Sequence, residues 1–115
     1  MKKKIDYKSA GVNIDAGNEA VDLIKESVRS THSKNVLTGI GSFGSLYDLS
    51  SLLNKYNNPV MVQSIDGVGT KTIIARKMKK FTTIGIDLVS ACANDILVMG
   101  AKPITFLDYI ANDKL

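Results

Sequence analysis

The sequence predicts an α/β sandwich in which short apolar strands alternate with helices over the second half of the chain. Three apolar runs suited to strands, 59–64, 81–86 and 103–110, are separated by two stretches of helical character, 72–79 and 88–99. This order is typical of a sheet that packs helices against its face. A chain of 115 residues with 44% hydrophobic residues is long enough for one such domain.

The composition of the chain argues against several classes of protein: nucleic-acid-binding, membrane-spanning, secreted and disulfide-stabilised proteins. The net charge of +4 is only mildly basic and does not by itself indicate nucleic-acid binding. No apolar run approaches the ~20 residues that span a bilayer, and the amino-terminal lysines precede polar residues rather than the apolar block of a signal peptide. The single cysteine, Cys92, excludes an internal disulfide. We therefore expect a cytoplasmic protein with a buried, unreactive thiol that binds neither nucleic acid nor membrane.

The first part of the chain is less regular. Residues 1–14 show no sustained period and are expected to form an amino-terminal arm, with the folded domain over 15–115. Asp15 is placed to cap a helix whose apolar residues recur at three- and four-residue spacing. Lys25 and Arg29 lie four residues apart on this helix, so they either face solvent together or close over an anion.

Residues 39–44 read Gly-Ile-Gly-Ser-Phe-Gly, a literal G-x-G-x-x-G. A dinucleotide-binding fold needs a strand before this motif, a helix after it and an acidic residue ~20 positions on. The stretch 35–38 is a thin strand candidate and 46–53 is compatible with a helix, so that fold remains an alternative. We favour a mobile glycine flap whose backbone N–H groups fold over phosphates.

The stretch 65–71, Ile-Asp-Gly-Val-Gly-Thr-Lys, joins the first strand of the α/β run to its helix. Its two glycines let backbone N–H groups approach a ligand, its threonine can cap the helix, and its lysine adds positive charge. These groups suit a phosphate, with Asp66 beside it to hold a divalent metal. The alternative is a tight structural turn that Asp66 stabilises.

The stretch 88–99 is apolar enough for a buried helix, with Asp87 as its N-cap. Asn94 and Asp95 interrupt it, and burial without partners would cost roughly 2 to 7 kcal/mol for a neutral polar group and more for a charge. Either they hydrogen-bond to neighbouring backbone, or Asp95 shares a metal with Asp66. The cost of an unpaired buried carboxylate favours the shared metal.

Taken together, these motifs resemble one family over the whole chain. The matching segments, in the family's order, are 7–18, 39–44, 66–71, 84–101 and 106–109. They are similar to the amino-terminal third of phosphoribosylformylglycinamidine cyclo-ligase, the aminoimidazole ribonucleotide synthetase of purine biosynthesis. One departure is Asn13, which stands where the family motif usually has aspartate.

The resemblance implies an ATP-dependent ligase that uses Mg²⁺. In that family ATP phosphorylates the formyl amide oxygen of formylglycinamidine ribonucleotide, and an amidine nitrogen then displaces phosphate to close the imidazole ring. The family fold implies a mixed sheet with helices on one face, which completes a barrel with the sheet of a second copy in a homodimer. This portion alone is expected to be inactive without the family's carboxyl-terminal domain.

Two other interpretations stay open. The chain could be a dimerisation and nucleotide-binding module without catalysis. It could also belong to another member of the superfamily, such as selenophosphate synthetase or thiamine-monophosphate kinase, although the stretches 10–12 and 66–71 fit the cyclo-ligase better.

The resemblance also implies roles for single residues. Asp66, Asp87 and Asp95 are implied ligands of Mg²⁺ or Mg-ATP. Catalytic roles are implied for Asp66, Lys71 and Asn94, because phosphoryl transfer needs a placed metal and positive charge more than a protein nucleophile. The implied nucleotide-binding set comprises Lys25, Gly39, Gly41, Ser42, Phe43, Gly44, Gly67, Gly69, Thr70 and Lys71.

Overall fold

The computed structural model describes residues 6–7 and 10–110. This part of the chain contains four helices: α1 (Ile14–Ser30), α2 (Ser50–Leu53), α3 (Lys71–Met78) and α4 (Ile84–Val98). None of the helices in these residues is long and apolar enough to cross a membrane. The described residues fall into two compact units, one that runs to Pro59 and includes Ile110, and one formed by Val60–Tyr109. The arm predicted over 1–14 lies partly outside the described residues, at 1–5 and 8–9.

Asn13, rather than Asp15, caps helix α1. Asn13 has extended backbone angles, and its side-chain oxygen accepts a hydrogen bond from the backbone N–H of Ala16 at 3.2 Å. Asp15 instead lies in the first turn, where its negative charge is favourable near the positive end of the helix dipole. The prediction of Asp15 as the N-cap is therefore wrong by two positions, because asparagine caps a helix as well as aspartate does.

The chain after α1 turns back on itself around the glycine motif. Val36 and Tyr47 form an isolated antiparallel bridge, and the N–H of Leu37 donates to the carbonyl of Leu46 at 2.8 Å. The strand expected over 35–38 is thus reduced to a single bridged pair. The glycine motif lies in the turn that this bridge closes.

Asp48 initiates α2, which is shorter than the helix expected over 46–53. The carboxylate of Asp48 accepts a hydrogen bond from the backbone N–H of Ser50 at 2.8 Å. Hydrogen bonds from the Ser50 hydroxyl and then from its backbone N–H hold the pKa of Asp48 below its ordinary value of 3.8, and the charge of Lys34 adds to the effect. The negative form of Asp48 is therefore the form that the folded chain stabilises.

In the second unit, helices α3 and α4 contact each other. Ala75 on α3, which is 6% exposed, is the one buried residue of the described part of the chain. Helix α3 ends at Met78, and its C-cap residue, Lys79, has a left-handed φ of 51°. Helix α4 ends at Val98, and Gly100, which follows the C-cap residue Met99, adopts a left-handed φ of 73° without steric strain.

Helix α4 differs from its prediction at its start and in its surroundings. The strand expected over 81–86 is wrong, because Ile84 begins the helix, and Asp87 lies in the first turn rather than at the N-cap. The expected burial is also wrong, since no residue of α4 is buried and Val98 is 84% exposed. A helix that is apolar on all sides needs cover on more than one face, and within the second unit α3 is the helix that contacts α4.

The residues that the structure describes form no β-sheet. The segments 60–68 and 101–110 have no regular secondary structure, although they include two of the predicted strands. Single strands are not stable without partners, so a sequence suited to a strand does not form one alone. The sheet of the α/β sandwich is not confirmed and stays a prediction.

Replacing Asn13 with alanine is expected to destabilise α1 by about 1 kcal/mol, because the N–H of Ala16 loses its side-chain acceptor. Asn13→Asp keeps an acceptor and serves as the matched control, with stability equal to the wild type or higher. Unfolding in urea, followed by helical circular dichroism, measures both variants. Equal free energies of unfolding for Asn13→Ala and the wild type would contradict the capping role.

Ser50→Ala is expected to raise the pKa of Asp48 toward 3.8, because it removes the hydroxyl that stabilises the carboxylate. Since the pKa is lowered in the folded chain, the stabilisation by Asp48 is present above pH 3.8 and is lost as the pH falls through the lower folded-state value. Titration of the carboxyl carbon by NMR gives the pKa directly.

Ser51→Ala, which changes the adjacent serine, is the control for this measurement and should leave the pKa of Asp48 unchanged. A wild-type pKa at or above 3.8 would contradict the assignment.

Candidate functional site

The turn predicted to bind phosphate precedes α3 in the second unit. Asp66 Oδ1 accepts a hydrogen bond from the N–H of Gly67 at 2.6 Å, so that N–H is already engaged locally. Gly69 has a left-handed φ of 64°, and its carbonyl accepts a hydrogen bond from the hydroxyl of Thr72 at 2.8 Å. Thr70 is the N-cap residue of α3, as predicted, but its side chain makes no capping hydrogen bond. The turn is therefore held by its own short-range bonds.

Lys71 and Asp87 form an ion pair, with Lys71 Nζ 2.9 Å from Asp87 Oδ1. Their side chains are 61% and 38% exposed, so solvent screens the pair and its contribution to stability is about 0–1 kcal/mol. Both residues line a groove of about 310 Å³ between α3 and the start of α4. An exposed pair of this strength leaves the Lys71 ammonium able to exchange its carboxylate for another anionic acceptor, since carboxylate and phosphate oxygens both accept charge-assisted bonds.

Asp95 has a different kind of partner. Its Oδ2 accepts a hydrogen bond from the hydroxyl of Ser64 at 2.7 Å, and neither ion pair found among the described residues involves Asp95. Asp95 and Asn94 are exposed, so the burial that the sequence predicted for them is wrong. Exposure to solvent lowers the cost of a charged carboxylate on this apolar helix.

A third contact joins the same two elements. The thiol of Cys92, which is half-buried rather than buried as predicted, lies 3.9 Å from the carbonyl oxygen of Asp66. The stretch 64–71 therefore runs antiparallel to α4. The paired residues are Ser64 with Asp95, Asp66 with Cys92, and Lys71 with Asp87.

Helix geometry limits how the three predicted metal ligands can act. Asp87 and Asp95 are eight residues apart on α4, or ~12 Å along its axis at ~1.5 Å per residue. The oxygens around one Mg²⁺ ion lie ~2.1 Å from it, so two of them are at most ~4.2 Å apart. One ion can therefore bind directly to only one of these two carboxylates. The described residues accordingly contain no group of three or more His, Cys, Asp or Glu side chains that could hold a metal ion.

The donors still suit Mg²⁺, which commonly keeps several waters and binds one or two carboxylates together with phosphate oxygens. Asp66 and Asp95 are exposed and Asp87 is half-exposed, so each can reach a solvated ion. Asp66, Asp87 and Asp95 stay predicted ligands.

The remaining predicted contacts belong to the first unit. Lys25 is exposed on α1 and lies 3.6 Å from Asp22 in an ion pair. In the glycine motif, Gly41 has a left-handed φ of 99° and the side chain of Phe43 is fully exposed. Lys25 and residues 39–44 stay predicted nucleotide contacts.

The dinucleotide-binding alternative is not supported by the surroundings of the glycine motif. That fold requires a helix whose N-terminus opens at the glycines and faces the pyrophosphate. Residues 40–44 form turns and bends, and α2 begins only at Ser50 and has four residues. The structure therefore lacks the helix on which this alternative depends.

Sequence reasoning missed Ser64. A serine before the Asp66 turn resembles an ordinary polar residue of a strand, and its partner is 31 positions away. The available signal was its spacing, because side chains at i and i+2 of an extended segment share a face. Ser64 therefore could have been grouped with Asp66, but its contact with Asp95 could not have been read from the sequence.

Comparison with known proteins places these residues in a family. The family model described as "AIR synthase related protein, N-terminal domain" matches residues 48–115. A phosphoribosylformylglycinamidine cyclo-ligase from Leptospira interrogans is 51% identical over 100% of the chain, and one from Clostridium tetani is 56% identical over 95%. One from Fusobacterium nucleatum is 52% identical over 95% of the chain.

The chain spans about a third of the length of these curated relatives, covering 33%, 32% and 31% of them. The family model covers more than half of the chain, and it includes the turn at Asp66 and all of α3 and α4. The chain therefore belongs to the AIR synthase related protein family and matches its N-terminal domain.

Proposed function

We propose that this chain is the nucleotide-binding part of a phosphoribosylformylglycinamidine cyclo-ligase, an ATP-dependent enzyme of purine biosynthesis in the cytoplasm. Its substrate would be formylglycinamidine ribonucleotide and its cofactors ATP and Mg²⁺. The names of relatives that are 51–56% identical to the chain support the proposal. The observation that carries it is the ion pair between Lys71, which directly follows a glycine turn, and Asp87 in the first turn of α4, with 2.9 Å between Lys71 Nζ and Asp87 Oδ1.

The residues of this turn have roles that follow from their chemistry. Lys71 would bind phosphate oxygens and offset the negative charge that develops on them. The backbone at Gly69 and Thr70 lies beside Lys71 and would contact the same phosphates. Bound Mg-ATP would supply the phosphoryl group that activates the amide oxygen of the substrate. Because such a transfer depends on position and charge, the chain need not provide a nucleophile.

The acidic residues would hold Mg²⁺, with Asp66 and either Asp87 or Asp95 at one ion. A second ion, or a water-mediated contact, would serve the remaining carboxylate, because α4 separates Asp87 from Asp95 by two turns. Asn94 adjoins Asp95 and is exposed, so its amide can donate to a phosphate or a metal-bound water.

We also propose that the chain acts as a homodimer. Apolar side chains of the second unit are exposed in the single chain, and Ile65 is 98% exposed. The segments 60–68 and 101–110 lack partner strands. Pairing with the same segments of a second copy would build the predicted mixed sheet and cover these side chains. The same observation favours the alternative function, a dimerisation module without catalysis.

Lys71→Met is expected to weaken Mg-ATP binding about tenfold or more, because a hydrogen bond to a charged group is worth about 1.5–3 kcal/mol. Lys77→Met removes the same charge from the same helix and is the matched control, with little effect expected. Isothermal titration calorimetry measures both.

If Lys71→Met and Lys77→Met lost the same amount of Mg-ATP affinity, a specific role for Lys71 would be contradicted. A wild-type chain that sediments as a dimer but binds no Mg-ATP would contradict the proposed function and support the dimerisation module.

Asp87→Asn is expected to have opposite effects with and without metal. Without Mg²⁺, the affinity for ATP should rise by up to about fivefold, because Lys71 loses a competing partner worth about 0–1 kcal/mol. With Mg²⁺, the affinity should fall, because a metal ligand is lost.

Glu26→Gln changes the net charge equally on α1 and controls for general electrostatics. Titrations in chelator and in excess Mg²⁺ supply the comparison. If Asp87→Asn changed the affinity for ATP in the same direction in chelator and in excess Mg²⁺, the proposal that Lys71 exchanges Asp87 for a phosphate would be contradicted.

A further inference from the structure

The contact between Ser64 and Asp95 links the segment before the glycine turn to the C-terminal part of α4. The two residues are 31 positions apart, and the oxygens lie 2.7 Å from each other. An ionised carboxylate only accepts hydrogen bonds, so the serine hydroxyl is the donor. The distance is that of a charge-assisted bond, which is stronger than a bond between neutral groups.

This bond leaves the carboxylate available to a cation. Ser64 is neutral and engages Oδ2, so Asp95 keeps its negative charge and its other oxygen, and its side chain is exposed. Asp87 differs, because the ammonium of Lys71 already offsets its charge. Of the two aspartates on α4 that are predicted metal ligands, Asp95 is thus the one whose charge has no positive partner among the ion pairs of the described residues.

The same contact brings the backbone of Asp66 near Asp95. The carbonyl of Asp66 lies 3.9 Å from the thiol of Cys92, and Cys92 and Asp95 are neighbours on α4 at a spacing of three residues. The hydrogen bond of Ser64, two residues before Asp66, therefore holds the start of the glycine turn against the part of α4 that contains Asp95.

We propose that Ser64 is a positioning residue, which holds the carboxylate of Asp95 ready for a divalent cation. The proposal rests on the proposed function, since the cation would be the one that accompanies ATP. The physical basis is pre-organisation: a side chain that is already held loses less conformational freedom when it binds. Groups that hydrogen-bond to metal ligands typically change metal affinity by about 10- to 100-fold when they are removed.

The test uses Mn²⁺ as the probe and electron paramagnetic resonance to count free ions, with and without ATP; matched solutions without protein give the baseline, because ATP itself binds Mn²⁺. Ser64→Ala should weaken Mn²⁺ binding in the presence of ATP by about tenfold or more. Ser64→Thr retains the hydroxyl and should restore most of the affinity. Circular dichroism checks that both variants keep their helices.

A double-mutant cycle gives the sharper comparison. In an Asp95→Asn background, Ser64→Ala should have no further effect, because its action passes through the missing carboxylate. Wild-type Mn²⁺ affinity in Ser64→Ala, or an equal loss in both backgrounds, would overturn the positioning role while leaving the proposed function intact. Absence of Mn²⁺ binding by the wild type in the presence of ATP would overturn both.

Discussion

The second unit depends on the contacts that tie the glycine turn to helix α4. Lys71 pairs with Asp87 at one end of the turn, and Ser64 donates to Asp95 at the other. Without these contacts the turn would be held by short-range bonds, such as the one from Gly67 to Asp66, and by the weak contact of the Cys92 thiol with the Asp66 carbonyl. Each contact is exposed and individually weak. Together they bring the glycine turn and Lys71, the first residue of α3, against the two carboxylates of α4.

The two ends of this arrangement differ in charge, and the difference has chemical consequences. At one end, Lys71 and Asp87 offset each other, so a bound ligand has to supply a phosphate and a cation to replace the pair. At the other end, Asp95 keeps its charge and is held by a neutral hydroxyl. A ligand that carries both phosphates and metal ions would suit both ends, and for this reason the proposed ligand is Mg-ATP rather than either component alone.

The apolar character of the second unit is the other constraint. Helix α4 has no buried residue, and Ala75 on α3 is the one buried residue of the described chain. An apolar helix and two unpaired strand-like segments are stable only when another surface covers them. The proposed dimer would cover this surface and would give the segments 60–68 and 101–110 strand partners.

The features that could be predicted from the sequence are those that depend on neighbouring residues: the existence of α1 and α3, the turn at Asp66, and the family to which the motifs point. It misplaced the starts of helices, because Asn13 competes with Asp15 as a cap and because Ile84–Ile86 suit either a strand or a helix. The folded chain was needed to show that Asp95 is exposed, that Ser64 contacts it across 31 residues, and that Lys71 forms an ion pair with Asp87. These pairings depend on how the chain folds back along α4. The spacing of residues in the sequence does not give the distance in space between side chains that are far apart along the chain.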